Sequence, residues 1–195
     1  LTAGQKLWIL VGQQGLTGSY SYSCPSGYGI YGGGGGGSFV ATGTVLSSTT
    51  PLIVGAGGHG ANTGNCDRYV GPNGSTATGD GTGATSGDGK GACSGGFNTN
   101  GSCGNSSSQD GIAFRNGGQG GGDYGGSPAN GGFGCASGTY WNGSGAGGGY
   151  QGSSGTDAPA AAPSATSARS YNSGTSQSNS VGNTGHGYVE VEFLE

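Results

Sequence analysis

Long aliphatic side chains are nearly missing from this sequence. Val, Ile, Leu and Phe together number 24 of 195 residues, and methionine is absent. Ordinary helical and α/β enzyme cores need far more apolar side chain, so composition excludes them. Charge is equally scarce, at 7% charged residues and a net charge of −4. Disordered polyelectrolytes pair low hydrophobicity with high net charge, and the second half of that signature is missing here. The 5 Lys and Arg are scattered, which leaves no basic patch for nucleic acid. The longest aliphatic or aromatic run, Leu7 to Val11, is far short of the roughly 20 residues that cross a bilayer, so no membrane insertion is expected. No window repeats apolar residues at helical spacing.

What the sequence has instead is glycine, at 53 positions. Glycine loses more conformational freedom on ordering than any other residue, so an ordered glycine-rich region needs dense hydrogen bonding in return. Polyglycine II provides it. This is an extended helix of three residues per turn with no internal bonds, whose N–H and C=O groups point outward to neighbouring copies. Gly32 to Gly37 is an unbroken run, and further clusters span Gly117–Gly122, Gly131–Gly134 and Gly143–Gly149. Asn, Asp, Ser, Tyr and Pro separate them, as turns require. Glycine does not fall at every third position, which excludes collagen.

The few aliphatic residues lie at the two ends. Between Gly55 and Ser180 the only Val, Ile or Leu are Val70 and Ile112. Leu7–Val11, Ser38–Ala41 and Pro51–Val54 read as buried strands. Tyr188 to Phe193 alternates with period two, with Val189, Val191 and Phe193 on one face and Glu190 and Glu192 on the other, which predicts a half-buried antiparallel strand. The chain therefore reads as a single mainly β domain, 1–195, with little or no α-helix. Residues 1–54 and 181–195 form the frame, 55–156 a polyglycine II-type insertion, and 157–180 a surface linker, where glycine thins to Gly174.

Several motifs fail on inspection. Gly55-Ala56-Gly57-Gly58-His59-Gly60 matches G-x-G-x-x-G, but a dinucleotide site needs a helix to follow, and Ala61–Asn65 does not read as one. Around Lys90 the phosphate-loop pattern fails at Ala84 and Gly91. His59 and His186 lack acidic or Cys partners nearby, and Asp80 and Asp88 lack the repeated calcium nonapeptide, so no metal and no cofactor is expected. No nucleophile elbow exists, and no carboxylate pair has an environment that would raise a pKa; no catalytic residue is named and the chain is read as a non-enzyme.

Cys24, Cys66, Cys93, Cys103 and Cys135 show no CxxC spacing, so zinc is not expected; they read as two disulfides and an odd thiol, first a buried one and otherwise a bridge to another chain. Cys93 with Cys103 is the favoured pair, since it closes a short Gly/Asn-rich loop. Asn73, Asn100, Asn105 and Asn142 begin Asn-x-Ser acceptors for N-glycosylation. Together with the cysteines they point to an extracellular or cell-surface protein carrying glycans. Of the 10 Tyr and 2 Trp, most read as covers over glycine layers; Tyr140 and Trp141 read as a contact surface.

Trp8-Ile9-Leu10-Val11-Gly12-Gln13-Gln14-Gly15, then Gly32–Gly37-Ser38-Phe39-Val40, then Pro51-Leu52-Ile53-Val54-Gly55-Ala56-Gly57-Gly58, and lastly Gly185-His186-Gly187-Tyr188-Val189 follow the order of one family. The chain resembles the extracellular glycine-rich domain of anaplastic lymphoma kinase and leukocyte tyrosine kinase, a module shared with secreted and surface glycine-rich proteins. The resemblance covers both ends, and the middle agrees in composition only. It implies a tumour-necrosis-factor-like jelly-roll of antiparallel sheets with a polyglycine II bundle inserted. Three functions stand as expectations. The first is a non-catalytic structural or adhesive module that associates with itself into a filament or matrix. The second, implied by the resemblance, is a receptor ectodomain segment that binds an extracellular protein ligand. The third is ice binding.

Overall fold

A computed structural model describes residues 1–20, 29–61, 74–84, 92–103, 109–123, 129–139, 143–155, 167–180 and 182–192. Seven short strands form within them: β1 Leu7–Leu10, β2 Thr17–Tyr20, β3 Gly29–Gly32, β4 Ser38–Thr42, β5 Thr50–Gly55, β6 Ser75–Thr78 and β7 Arg169–Asn172. Two single 3₁₀ turns, Leu46–Ser48 and Phe114–Asn116, are the helical elements among the described residues. The fold is mainly β. β2 and β3 make an antiparallel hairpin, and the other five make one sheet in the order β1-β4-β5-β7-β6. Its pairs are antiparallel except β6 with β7.

The three strands expected near the N-terminus are β1, β4 and β5. β1 pairs with β4 from Leu7 opposite Thr42 to Leu10 opposite Phe39, and a register shift between Val40 and Ala41 interrupts β4 against β5. Leu10, Phe39, Val54 and Tyr171 line up across four strands and face inward. Phe97 and Phe114 from the glycine-rich region stack there. Phe114 lies between Phe39 (ring centroids 4.8 Å apart) and Phe97 (5.0 Å), and Tyr150 bridges Phe97 to Tyr171. The middle of the chain thus lends its aromatic rings to the apolar core of the sheet. Such offset ring pairs add roughly 0.5–1.5 kcal/mol each beyond area burial.

Two expectations at the C-terminal end are corrected. The last sheet strand, β7, arises at Arg169–Asn172, inside the stretch read as a surface linker. Tyr188–Glu192 forms no strand; Tyr188 is 74% and Val191 42% exposed. Alternation marks a segment able to pair, but pairing needs an edge. The place beside β5 is taken by β7, where Tyr171 gains ring contact with Tyr150.

The glycine segments surround Gly32–Gly37 with a regular pattern of bonds. Gly33 and Gly36 donate to Leu16 and Gln13, Gly34 and Gly37 to Ser137 and Gly134, and Gly32 and Gly35 to Ala61 and Gly58, at 2.8 to 3.1 Å. Every third residue addresses the same neighbour, and each neighbour runs antiparallel. A fourth segment runs parallel: Gly145 and Gly148 donate to the carbonyls of Gly32 and Gly35. One strand is therefore bonded to four others, which a flat sheet does not allow. At several of these positions the packing leaves no room for a side chain. A Cβ on Gly34 would overlap the carbonyl of Ala146, and one on Gly36 the carbonyl of Phe133.

Candidate functional site

The densest chemistry among the described residues lies at a corner of the glycine region. Cys93 and Cys103 are within disulfide-bonding distance, with Cα atoms 5.4 Å apart. Asp110 receives the Cys93 N–H on Oδ1 at 2.7 Å and the Cys103 N–H on Oδ2 at 3.2 Å. Burial pushes the Asp110 carboxyl up, opposed by these two bonds. Two sulfurs and a carboxylate this close resemble a metal-ligand set. Here the sulfurs are spent on each other and each carboxylate oxygen holds a backbone amide, so the cluster pins a loop. Cys135 is fully buried and unpaired, and burial pushes its thiol pKa far up. It sits at φ 70°, a left-handed conformation uncommon for a residue with a side chain.

Histidine and carboxylate motifs are dispersed. His59 Nε2 lies 3.0 Å from Ser153 Oγ, whereas His186 Nδ1 accepts from the Gln14 N–H at 3.2 Å. The two rings serve different segments and do not form one site. Asp80 Oδ1 accepts from the N–H and hydroxyl of Thr82, and these bonds hold its carboxyl below the usual range. It closes its own turn.

Of the glycosylation acceptors, Asn100 is exposed, and its Oδ1 accepts from the Ala113 N–H and Asn116 Nδ2, both at 2.9 Å. Asn73, Asn105 and Asn142 lie outside the described residues, as do Tyr140, Trp141, Cys24, Cys66 and Asp88. Of the tyrosines near glycine runs, Tyr31 is buried at 2% exposure and Tyr150 packs on Phe97 and Tyr171.

The sheet carries the other notable surface. Ile9, Val40 and Ile53 stand opposite one another across β1, β4 and β5, on the face away from the aromatic core. Ile9 is 50% and Ile53 45% exposed, and Val11 beyond β1 is 41% exposed. This face was not singled out from the sequence, although its signal was present. An unbroken apolar run such as Leu7–Val11 puts apolar side chains on both faces of a strand, and only one face meets the core. β1 also ends the sheet, so its outer edge has no ladder partner among the described residues. Beside that edge, on the core side, lies an apolar pocket of about 150 Å³ walled by Trp8, Leu10, Leu46, Phe114 and Phe133. A larger, polar cleft of about 340 Å³ separates the glycine segments from the C-terminal tail; Ser38, Ser170, Asn183 and Tyr188 line it with backbone of Gly36 and Gly57. Its walls carry hydroxyls, amides and peptide groups and no charged side chain.

No protein-family model matches the chain, and no curated protein is similar to it. No helix among the described residues is long and apolar enough to cross a membrane.

Proposed function

We propose that this is an extracellular, non-catalytic structural module that associates with copies of itself, built as a jelly-roll-type β frame around a polyglycine II bundle. The bonding of Gly32–Gly37 supports the bundle. Donors that return to the same neighbour every three residues are the signature of a three-residue-per-turn extended helix. Such a body is stiffened by backbone bonds, each contributing roughly 0.5–1.5 kcal/mol, and has little apolar side chain to line a reaction pocket. The cysteine pair at bonding distance and the exposed Asn100 acceptor agree with an oxidising, glycan-adding compartment.

One observation carries self-association: on the outer face of the sheet Ile9, Val11 and Ile53 are between 41% and 50% exposed, on either side of the buried Val40. Monomers keep apolar patches small, and contiguous ones mark interfaces. The terminal strand adds an open backbone edge to the same region. Sedimentation velocity over a hundredfold concentration range tests the reading, with electron microscopy of the concentrated protein. Growing species and extended assemblies are expected. Dispersed monomers at the highest concentration would refute it.

A further inference from the structure

The chain carries an unused strand and an unused strand acceptor. The acceptor is the outer edge of β1, which has no ladder partner among the described residues, with the apolar pocket of Trp8, Leu10 and Phe133 beside it. The unused strand is the tail from Tyr188, which alternates apolar and acidic residues, forms no ladder with the described residues through Glu192, and leaves Tyr188 and Val191 exposed and Val189 half-buried. An antiparallel partner laid along β1 with Val189 and Val191 on the side of Trp8 and Leu10 would cover the pocket. Glu190 and Glu192 would then point with Ile9 to solvent. Alternate residues of a strand face opposite sides, so the one pattern satisfies both faces.

Within one chain the tail is anchored on the wrong side of β1. Gly12 donates to Ser38 Oγ (3.0 Å) on β4, and its carbonyl accepts from the Gly187 N–H (2.8 Å). A Cβ on Gly187 would meet the Oγ of Ser38 on β4, so Gly187 enters from the β4 side. The open edge faces the opposite direction.

We propose that the segment Tyr188–Glu192 of one copy adds as an antiparallel strand to the outer edge of β1 in a second copy, with Val189 and Val191 against Trp8 and Leu10. The inference rests on the self-association reading and names its mode. Donor and acceptor are different surfaces at opposite ends of the sequence, so the contact is heterologous. Each added copy exposes a fresh donor or acceptor, and assemblies grow head to tail.

The test uses the full chain. In sedimentation velocity the double variant Val189→Asn/Val191→Asn, which keeps net charge and alters one half-buried and one exposed tail position, is expected to need at least tenfold higher concentration than wild type to associate. Circular dichroism checks that it folds. A chain with Ile9→Cys mixed with a chain with Glu190→Cys is expected to give a cross-linked heterodimer under oxidation, with the linked peptides identified by mass spectrometry. If wild type associates and the Asn variant does so equally well, strand addition is overturned while self-association stands. If wild type stays monomeric, the parent reading fails. If Ile9→Cys/Glu190→Cys in one chain cross-links internally at high dilution, the tail caps its own edge and exchange between copies is overturned.

Discussion

Adding one methyl group at Gly34 tests whether backbone contact holds the middle of this protein together. A Cβ there would overlap the carbonyl oxygen of Ala146 on the parallel neighbour, so residues 145–148 would have to retreat by more than about 1 Å to restore van der Waals distance. Two bonds cross that seam, Gly145 N–H to Gly32 O at 2.9 Å and Gly148 N–H to Gly35 O at 3.0 Å. Breaking both leaves buried groups unpaired at about 1–3 kcal/mol each. The lower chain entropy of Ala in the unfolded state returns about 0.4–1 kcal/mol. Gly34→Ala should therefore destabilise by about 3 kcal/mol, lowering Tm by about 6–12 °C for a domain of this size. The adjacent Gly35 is the control. Its Cβ would lie 3.4 Å from the nearest atom, Gly58 O, and its φ is not in the left-handed region. Gly35→Ala should be neutral or stabilising by up to about 1 kcal/mol. Urea unfolding followed by circular dichroism measures both. Equal loss at the two positions, or none at either, would refute the claim that close backbone packing at specific glycines stabilises the fold.

Three further outcomes follow from the corner around Asp110 and from Cys135. Burial raises the folded-state pKa of Asp110 above its unfolded value, so its contribution to stability is full below the ordinary carboxylate range and falls as pH rises through the raised value. Asp110→Asn keeps an acceptor for the Cys93 amide and should flatten that part of the profile; an unchanged wild-type-minus-variant difference from pH 3 to 7 would disprove it. Cys93→Ser/Cys103→Ser opens a loop with sequence separation 10 and should cost about 2–3 kcal/mol by the chain-entropy estimate, read as a lower urea midpoint. Cys135 is buried with a raised pKa, so its labelling by an aromatic disulfide reagent should wait for global unfolding; mass-mapped modification of native protein at that residue would contradict its placement.

Legibility from sequence was uneven for reasons that differ by residue. β1, β4 and β5 were visible because short apolar runs bounded by Gly, Ser and Thr have few other solutions. β7 was hidden. Arg169-Ser170-Tyr171-Asn172 has one strong apolar anchor, and Tyr171 is placed by its ring contact with Tyr150, a tertiary event with no local signal. Tyr188–Glu192 was misleading in the opposite sense, since its alternation only marks a segment that fits a half-buried sheet, and whether it pairs is decided by the edge it meets. The pairing of Cys93 with Cys103 follows from a short loop, but the role of Asp110 could not be read, because two N–H groups converge on its carboxylate only after that loop closes. The uncovered sheet face was written in Leu7–Val11 and overlooked.

A fold bonded mainly through glycine backbones faces a problem that side-chain cores do not: its register is degenerate. Sliding one extended glycine segment along another by three residues would restore the same bonds, so the segments themselves cannot select one alignment. Buried hydroxyls remove the degeneracy. Ser137 Oγ donates to Ala92 O at 3.1 Å and accepts from the Ala146 N–H at 2.7 Å, which locks three segments at one register. Ser94 Oγ donates to Ser153 O at 3.1 Å and accepts from the Ser153 N–H at 2.7 Å, and Ser153 Oγ donates onward to Gly147 O at 2.9 Å. These serines are fully buried, so a slipped register would strand their hydroxyls at about 1–3 kcal/mol apiece. The stacked Phe39, Phe114 and Phe97 fix the lattice against the sheet in the same way, since a three-residue slip would pull a ring out of the stack. Glycine thus permits the contact, while a few serines and phenylalanines decide where along each segment it is made.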